Sequence, residues 1–66
     1  MKMRFIHDFL RESGFKSKSG RSHLKWYKDG KYRTCTSYGS KSEPWAKRII
    51  EEAGLDWKDF QAFLGH

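Results

Sequence analysis

Residues Ser19–Gly39 read SGRSHLKWYKDGKYRTCTSYG, and the dipeptide Asp29-Gly30 at the centre of this stretch decides the fold. A two-residue type I′ turn needs positive φ at both central positions, and Asp-Gly is among the sequences that adopt it most readily. With that turn set, regular antiparallel pairing predicts Lys28 opposite Lys31, Tyr27 opposite Tyr32, Trp26 opposite Arg33, Lys25 opposite Thr34, Leu24 opposite Cys35 and His23 opposite Thr36. Directly opposed residues share a sheet face. One face is then Leu24, Trp26, Cys35 and the stem of Arg33, apolar enough to be covered by helices. The other is His23, Lys25, Tyr27, Tyr32, Thr34 and Thr36, which is cationic, aromatic and hydroxyl-bearing. A slip of one residue would bury Lys25 and expose Trp26, because side chains along a strand alternate with a period of two.

Upstream of the hairpin, Phe5, Ile6, Phe9 and Leu10 recur at helical spacing and predict an N-terminal helix. At about 100° per residue, His7 falls far from the centre of that stripe and is expected to be exposed. Gly14 is placed to stop the helix in the left-handed conformation, with Phe15 folding back onto it. The polar stretch KSKSGRS (16–22) predicts a brief edge strand or a loop.

Downstream, Ser42 is expected to cap a helix that holds Pro44 in its first turn. Trp45, Ala46, Ile49, Ile50 and Ala53 form its apolar stripe, with Lys47 and Arg48 opposite, and Gly54 ends it. Leu55 and Phe60 flank an Asp56 N-cap with the spacing of a hydrophobic staple, so another helix follows at once. Trp57, Phe60, Phe63 and Leu64 are expected to pack inward from it. The predicted order is α-β-β-β-α-α over residues 1–66. That is an α+β two-layer sandwich: one small antiparallel sheet, with helices packed on one face and the other face left to water or a partner.

Composition narrows the function. A chain of 66 residues is one domain at most and needs nearly every large apolar side chain for its core. The single cysteine, Cys35, excludes an intrachain disulfide framework and suits a reducing compartment. No Cys and His spacing suggests a zinc site, and neither metal nor cofactor is expected. The longest uninterrupted apolar run is three residues, Ala62–Leu64, so neither a membrane span nor a signal-peptide core is expected, and cytoplasm is the expected location. The net charge of +6 is concentrated in the middle of the chain. Residues 15–42 carry eight Lys and Arg against Asp29 alone, while residues 43–66 carry three against five acids. A basic block interleaved with aromatics is the footprint of a nucleic-acid binder, although many basic hairpins are only solvated surface.

Lysines, arginines and hydroxyls hold phosphates, and aromatic rings stack on unpaired bases. The residues expected to do so are Lys16, Lys18, Arg21, Ser22, Lys25, Tyr27, Lys28, Lys31, Tyr32 and Thr36. His23 adds a proton carrier. An imidazole among phosphate-binding cations can exchange protons with a ribose 2′-OH or a leaving oxygen. RNA supplies its own nucleophile, so one proton carrier and a cationic cradle suffice for chain cleavage. Two other classes stay open on these residues: a non-catalytic RNA- or DNA-binding module, and a small interaction protein whose basic face docks an acidic partner.

The succession FLRESGF (9–15), SGRSH (19–23), DGKYRT (29–34) and AKRIIEEAGLDWKDF (46–60) resembles the HicA family of bacterial, archaeal and phage toxins, over nearly the whole chain. The resemblance implies a double-stranded-RNA-binding-like fold, metal-independent mRNA cleavage, translation arrest, and neutralisation by a cognate HicB-type antitoxin protein. The family's functional histidine lies in a Gly-Ser-His element at the start of the hairpin, and His23 in Arg21-Ser22-His23 matches it. Arg21 stands where that glycine is usual. Thr36-Ser37-Tyr38-Gly39 and Pro44-Trp45 stand where the family often has a Pro-and-His element before Gly-Thr. No second histidine falls there, and His66, at the C-terminus, is expected to be disordered.

Overall fold

Three helices and one antiparallel sheet follow in the predicted order in the computed structural model, which describes residues Met1–Gly65; His66 lies outside the described residues. The elements are α1 (Met3–Glu12), β1 (Lys16–Ser19), β2 (His23–Lys28), β3 (Lys31–Ser37), α2 (Glu43–Glu52) and α3 (Trp57–Phe63). The sheet order is β1-β2-β3, so the KSKS segment is an edge strand rather than a loop. The helices gather on one face of the sheet. No helix among the described residues is long and apolar enough to cross a membrane.

Chain punctuation sets the element ends. Gly14 has φ +90°, and the Phe15 N–H donates back to the Leu10 carbonyl at 2.9 Å, closing α1 in a Schellman arrangement. The same device ends α2: Gly54 has φ +83°, and Leu55 N–H donates to Ile50 C=O at 3.0 Å. Asp56 caps α3 by accepting from the Lys58 N–H at 2.8 Å, and Leu55 packs against the core that contains Phe60. Ser42 occupies the N-cap position of α2 but makes no side-chain cap bond.

The hairpin turn is as read: Asp29 and Gly30 both have positive φ, at 55° and 76°. The pairing beyond it is not. Tyr27 faces Tyr32, but Trp26 faces Thr34, Lys25 faces Cys35, Leu24 faces Thr36 and His23 faces Ser37. Arg33 is the extra residue of a β-bulge, which shifts the register between Trp26 and Tyr27. Past the bulge the two faces of β3 are exchanged relative to the regular ladder. Thr34 and Thr36 point into the core, and Cys35 and Ser37 stand on the open face beside Lys25 and His23. The bulge is held from the helical side. Arg33 donates to the Ala53 carbonyl at 3.2 Å, and its guanidinium lies 6.0 Å from the Phe15 ring centroid.

Both buried threonines are satisfied. Thr34 Oγ1 donates to Glu52 Oε1 at 3.0 Å. Thr36 Oγ1 accepts from Trp26 Nε1–H at 2.9 Å and lies 2.8 Å from His7 Nε2. His7 is therefore buried, contrary to expectation. The buried residues of α1 are Met3, Ile6, His7, Phe9 and Leu10, and four of them, Met3, Ile6, His7 and Leu10, run at i, i+3, i+4 and i+7. Including Met3 rotates the centre of the stripe toward His7 and leaves Phe5 only half-buried. Burial, then the charge of Arg11, hold the His7 ring below the ordinary imidazole pKa, against smaller opposite effects from Asp8 and a Ser37 backbone hydrogen bond.

The core is Met3, Ile6, Phe9, Leu10, Phe15, Leu24, Trp26, Ala46, Ile49, Ile50, Ala53 and Phe60. Two aromatics assigned to it by the sequence lie outside. The α2 stripe is complete with Ala46, Ile49, Ile50 and Ala53, and Trp45, a full 100° around the helix from Ala46, is 55% exposed. Phe63 is 41% exposed, although its ring meets Phe9 at 5.3 Å.

Candidate nucleic-acid interface

The open face of the sheet collects positive charge without neutralising it. Lys18 of β1 is directly opposite Lys25 of β2, and Lys16 is opposite Tyr27. Like charges facing each other across a ladder destabilise it, yet no carboxylate intervenes. Among the described residues the sole ion pair is Arg11–Asp8 on α1, at 3.3 Å. The exposed cations of the open face are thus free to take an anion.

His23 begins β2 at the open end of the hairpin, across from Ser37. The loop before it folds back tightly, with Gly20 N–H donating to the His23 carbonyl at 2.8 Å. A Cβ on Gly20 would approach that carbonyl oxygen to 3.0 Å, so a larger residue would push the loop away. Ser22 Oγ lies 3.0 Å from His23 Nδ1. That contact orients the exposed imidazole and leaves Nε2 for a ligand.

Two grooves meet at His23. The first runs over the sheet and the preceding loop and includes Lys18, Arg21, Ser22, Lys25 and Tyr27, with a volume of 360 Å³. The second, of 340 Å³, runs along the outer edge of β3 to α2. Its floor is Tyr32, Cys35 and Ser37, and its far wall is Trp45, Arg48 and Glu52, with Lys41 at the rim. The Arg48 guanidinium carbon sits 5.6 Å from the Trp45 ring centroid. The Tyr32 hydroxyl is held above its ordinary pKa, first by lost solvation and then by the Cys35 side chain beside it.

The structure thus brings together Lys18, Arg21, Ser22, His23, Lys25 and Tyr27, and carries Tyr32 into the second groove. Tyr27 and Tyr32 themselves pack edge to face at 5.8 Å. Lys16 shares the open face but lies two pairs beyond Lys18, toward the turn. Lys28 and Lys31 stand at the turn, about five strand residues or ~16 Å from His23. Lys28 Nζ is 5.3 Å from the Phe15 ring centroid, on the helical side. Thr36 is 2% exposed and bonded to Trp26 and His7, so it is removed from the interface. The bulge is the reason: it turns residue 36 inward and residue 37 outward.

Sequence reasoning passed over Ser37, Lys41, Trp45, Arg48 and Glu52. One signal was present. Trp45 is superfluous to an already complete helical stripe, and Arg48 follows it at i+3, a spacing that stacks a guanidinium on a ring. The described residues contain no cluster of three His, Cys, Asp or Glu side chains arranged to hold a metal ion. Compared with protein-family models, with curated proteins and with solved structures, the chain matches none.

Proposed function

We propose that this protein is a cytoplasmic RNA endonuclease of the toxin type, an mRNA interferase, with His23 as its proton carrier. One observation carries the reading: an oriented, exposed imidazole stands where two grooves lined with unpaired cations meet. Lys18, Arg21 and Lys25 hold phosphates on one side, and Lys41 and Arg48 extend the track on the other. In the cleavage step the ribose 2′-oxygen attacks the adjacent phosphorus and the P–O5′ bond breaks. His23 Nε2 takes the 2′-OH proton, in the tautomer whose Nδ1–H donates to Ser22 Oγ, and solvent protonates the departing 5′-oxygen. The cations stabilise the charge that builds on the phosphorane. The products are a 2′,3′-cyclic phosphate and a 5′-hydroxyl. The resemblance to HicA toxins supports the same assignment and extends it to a HicB-type antitoxin as the protein partner.

His23→Gln keeps a hydrogen-bonding group but cannot titrate. It is expected to abolish RNA cleavage and growth arrest on expression in bacteria, while RNA binding and melting temperature stay at parental values. Cleavage by the parent is expected to survive EDTA. Undiminished cleavage by His23→Gln removes His23 from the chemistry. A parent that binds RNA and never cuts it makes the protein a non-catalytic RNA- or DNA-binding module on the same fold.

A further inference from the structure

The groove between β3 and α2 has features that holding a phosphate does not require. It presents two large, exposed aromatic rings, Trp45 at 55% and Tyr32 at 54% exposure, in a domain with little apolar surface to spare. Base rings stack on such surfaces whatever their sequence. Its volume of 340 Å³ lies at the lower end of what encloses a small ligand. It also holds one acid in an otherwise cationic surround. Glu52 Oε1 accepts the Thr34 hydroxyl at 3.0 Å, which fixes the carboxylate on the groove wall. Beside a polyanion track a carboxylate repels phosphate and accepts N–H donors. Among the bases, guanine presents two adjacent N–H donors on one edge, N1–H and the 2-amino group, which match the two oxygens of a carboxylate.

Resting on the reading of the adjacent His23 site as an RNA site, we propose that this groove is a base subsite that takes one unstacked guanine next to the phosphate held at His23. Trp45, backed by Arg48, supplies the stacking surface, and Glu52 supplies the selection. Lys41 and Arg48 at the rim hold the flanking phosphates by charge. Trp45 and Glu52 are therefore specificity residues. They lie on α2, while the proton carrier lies on β2, and the two elements meet only across β3.

The test is binding of the full chain to labelled pentamers UUGUU, UUAUU, UUCUU and UUUUU. All carry 2′-fluoro groups in place of the attacking hydroxyl, so that none is cut. UUGUU is expected to bind about tenfold more tightly than the other three and to quench tryptophan fluorescence. Trp45→Ala is expected to lose about tenfold or more of the UUGUU affinity and most of the quench. Trp45→Phe, which keeps a ring, should retain most of the affinity. Glu52→Gln keeps an acceptor for Thr34 and should reduce the ratio of UUGUU to UUUUU affinity about tenfold, while UUUUU binding tightens somewhat as a charge that repels phosphate is removed. Equal affinity for all four pentamers overturns the proposal. So does a folded Trp45→Ala protein that binds UUGUU like the parent, the result expected if the groove serves a protein partner instead. Guanine-selective binding by a parent that cuts no RNA keeps the subsite and overturns only the nuclease reading. Cleavage with no base preference does the reverse.

Discussion

Replacing Thr36 with valine removes one hydroxyl while keeping the shape of the side chain. That hydroxyl lies between two buried rings: it accepts from Trp26 Nε1–H at 2.9 Å and meets His7 Nε2 at 2.8 Å. In Thr36→Val both nitrogens lose their partner where water does not reach, since Trp26 is 0% and His7 7% exposed. An orphaned buried polar group costs about 1–3 kcal/mol, so the pair costs roughly 2–6 kcal/mol. A domain of this length has a total stability of about 3–10 kcal/mol. At about 4–8 °C per kcal/mol, the melting temperature should fall by about 8 °C or more. Circular dichroism during thermal and urea unfolding reads the change. Thr36→Ser is the control. It keeps the hydroxyl, loses one methyl group, and should cost only about 1 kcal/mol. If the valine variant is as stable as the serine variant, the hydroxyl does not bridge the rings and the inward placement of Thr36 is wrong. RNA affinity gives a second reading on the same proteins. Thr36→Ser should bind RNA as the parent does, and weakened binding with intact stability would return residue 36 to the open face.

Two further predictions rest on charge. Because the folded state holds His7 below the ordinary imidazole pKa, the unfolded chain binds more protons, so the contribution of His7 to stability is complete above about pH 6.5 and is lost as the pH falls through the folded value, at no more than about 1.4 kcal/mol per pH unit; urea unfolding of His7→Gln should show a flatter acid limb, and parallel acid limbs would refute the assignment. Lys18→Gln with Lys25→Gln should flatten the salt dependence of single-stranded RNA binding by about 1.4 in log–log slope, at about 0.7 per phosphate contact, and an unchanged slope would place the phosphate track elsewhere.

The sequence made the helices, their stops and the turn legible, because each is a local matter. Gly14, Gly54 and Asp29-Gly30 need particular backbone angles, and Asp56 needs only the N–H two residues on. The open face of β2 was legible too, because His23, Lys25 and Tyr27 alternate with Leu24 and Trp26. The face of β3 was not. Nothing in YRTCT distinguishes a regular ladder from one with an extra residue, because Thr and Cys are compatible with either side. What decides is tertiary: Arg33 finds a carbonyl at the end of α2, and the inward-facing Thr34 and Thr36 find side-chain partners in Glu52 and in Trp26 and His7. His7 went astray for a related reason. Its burial depends on Met3 joining the stripe and on a hydroxyl twenty-nine residues away. On the candidate site, the β2 half was readable and the α2 half was not, since Trp45 resembles any core tryptophan until the helix is docked.

The bulge at Arg33 also changes how tolerant the hairpin is to gaps. Deleting one residue from a paired strand ordinarily inverts every side chain on one side of the cut. Here the ladder already carries one residue too many. With Arg33 removed, Tyr27 still meets Tyr32, Trp26 still meets Thr34, and His23 still meets Ser37. Only the tie to Ala53 and the contact with Phe15 would go. A deletion confined to position 33 is thus the mildest length change β3 can undergo, because every observed pair of the hairpin keeps its partner. An alignment of this chain with a relative one residue shorter in the hairpin belongs with its gap at 33.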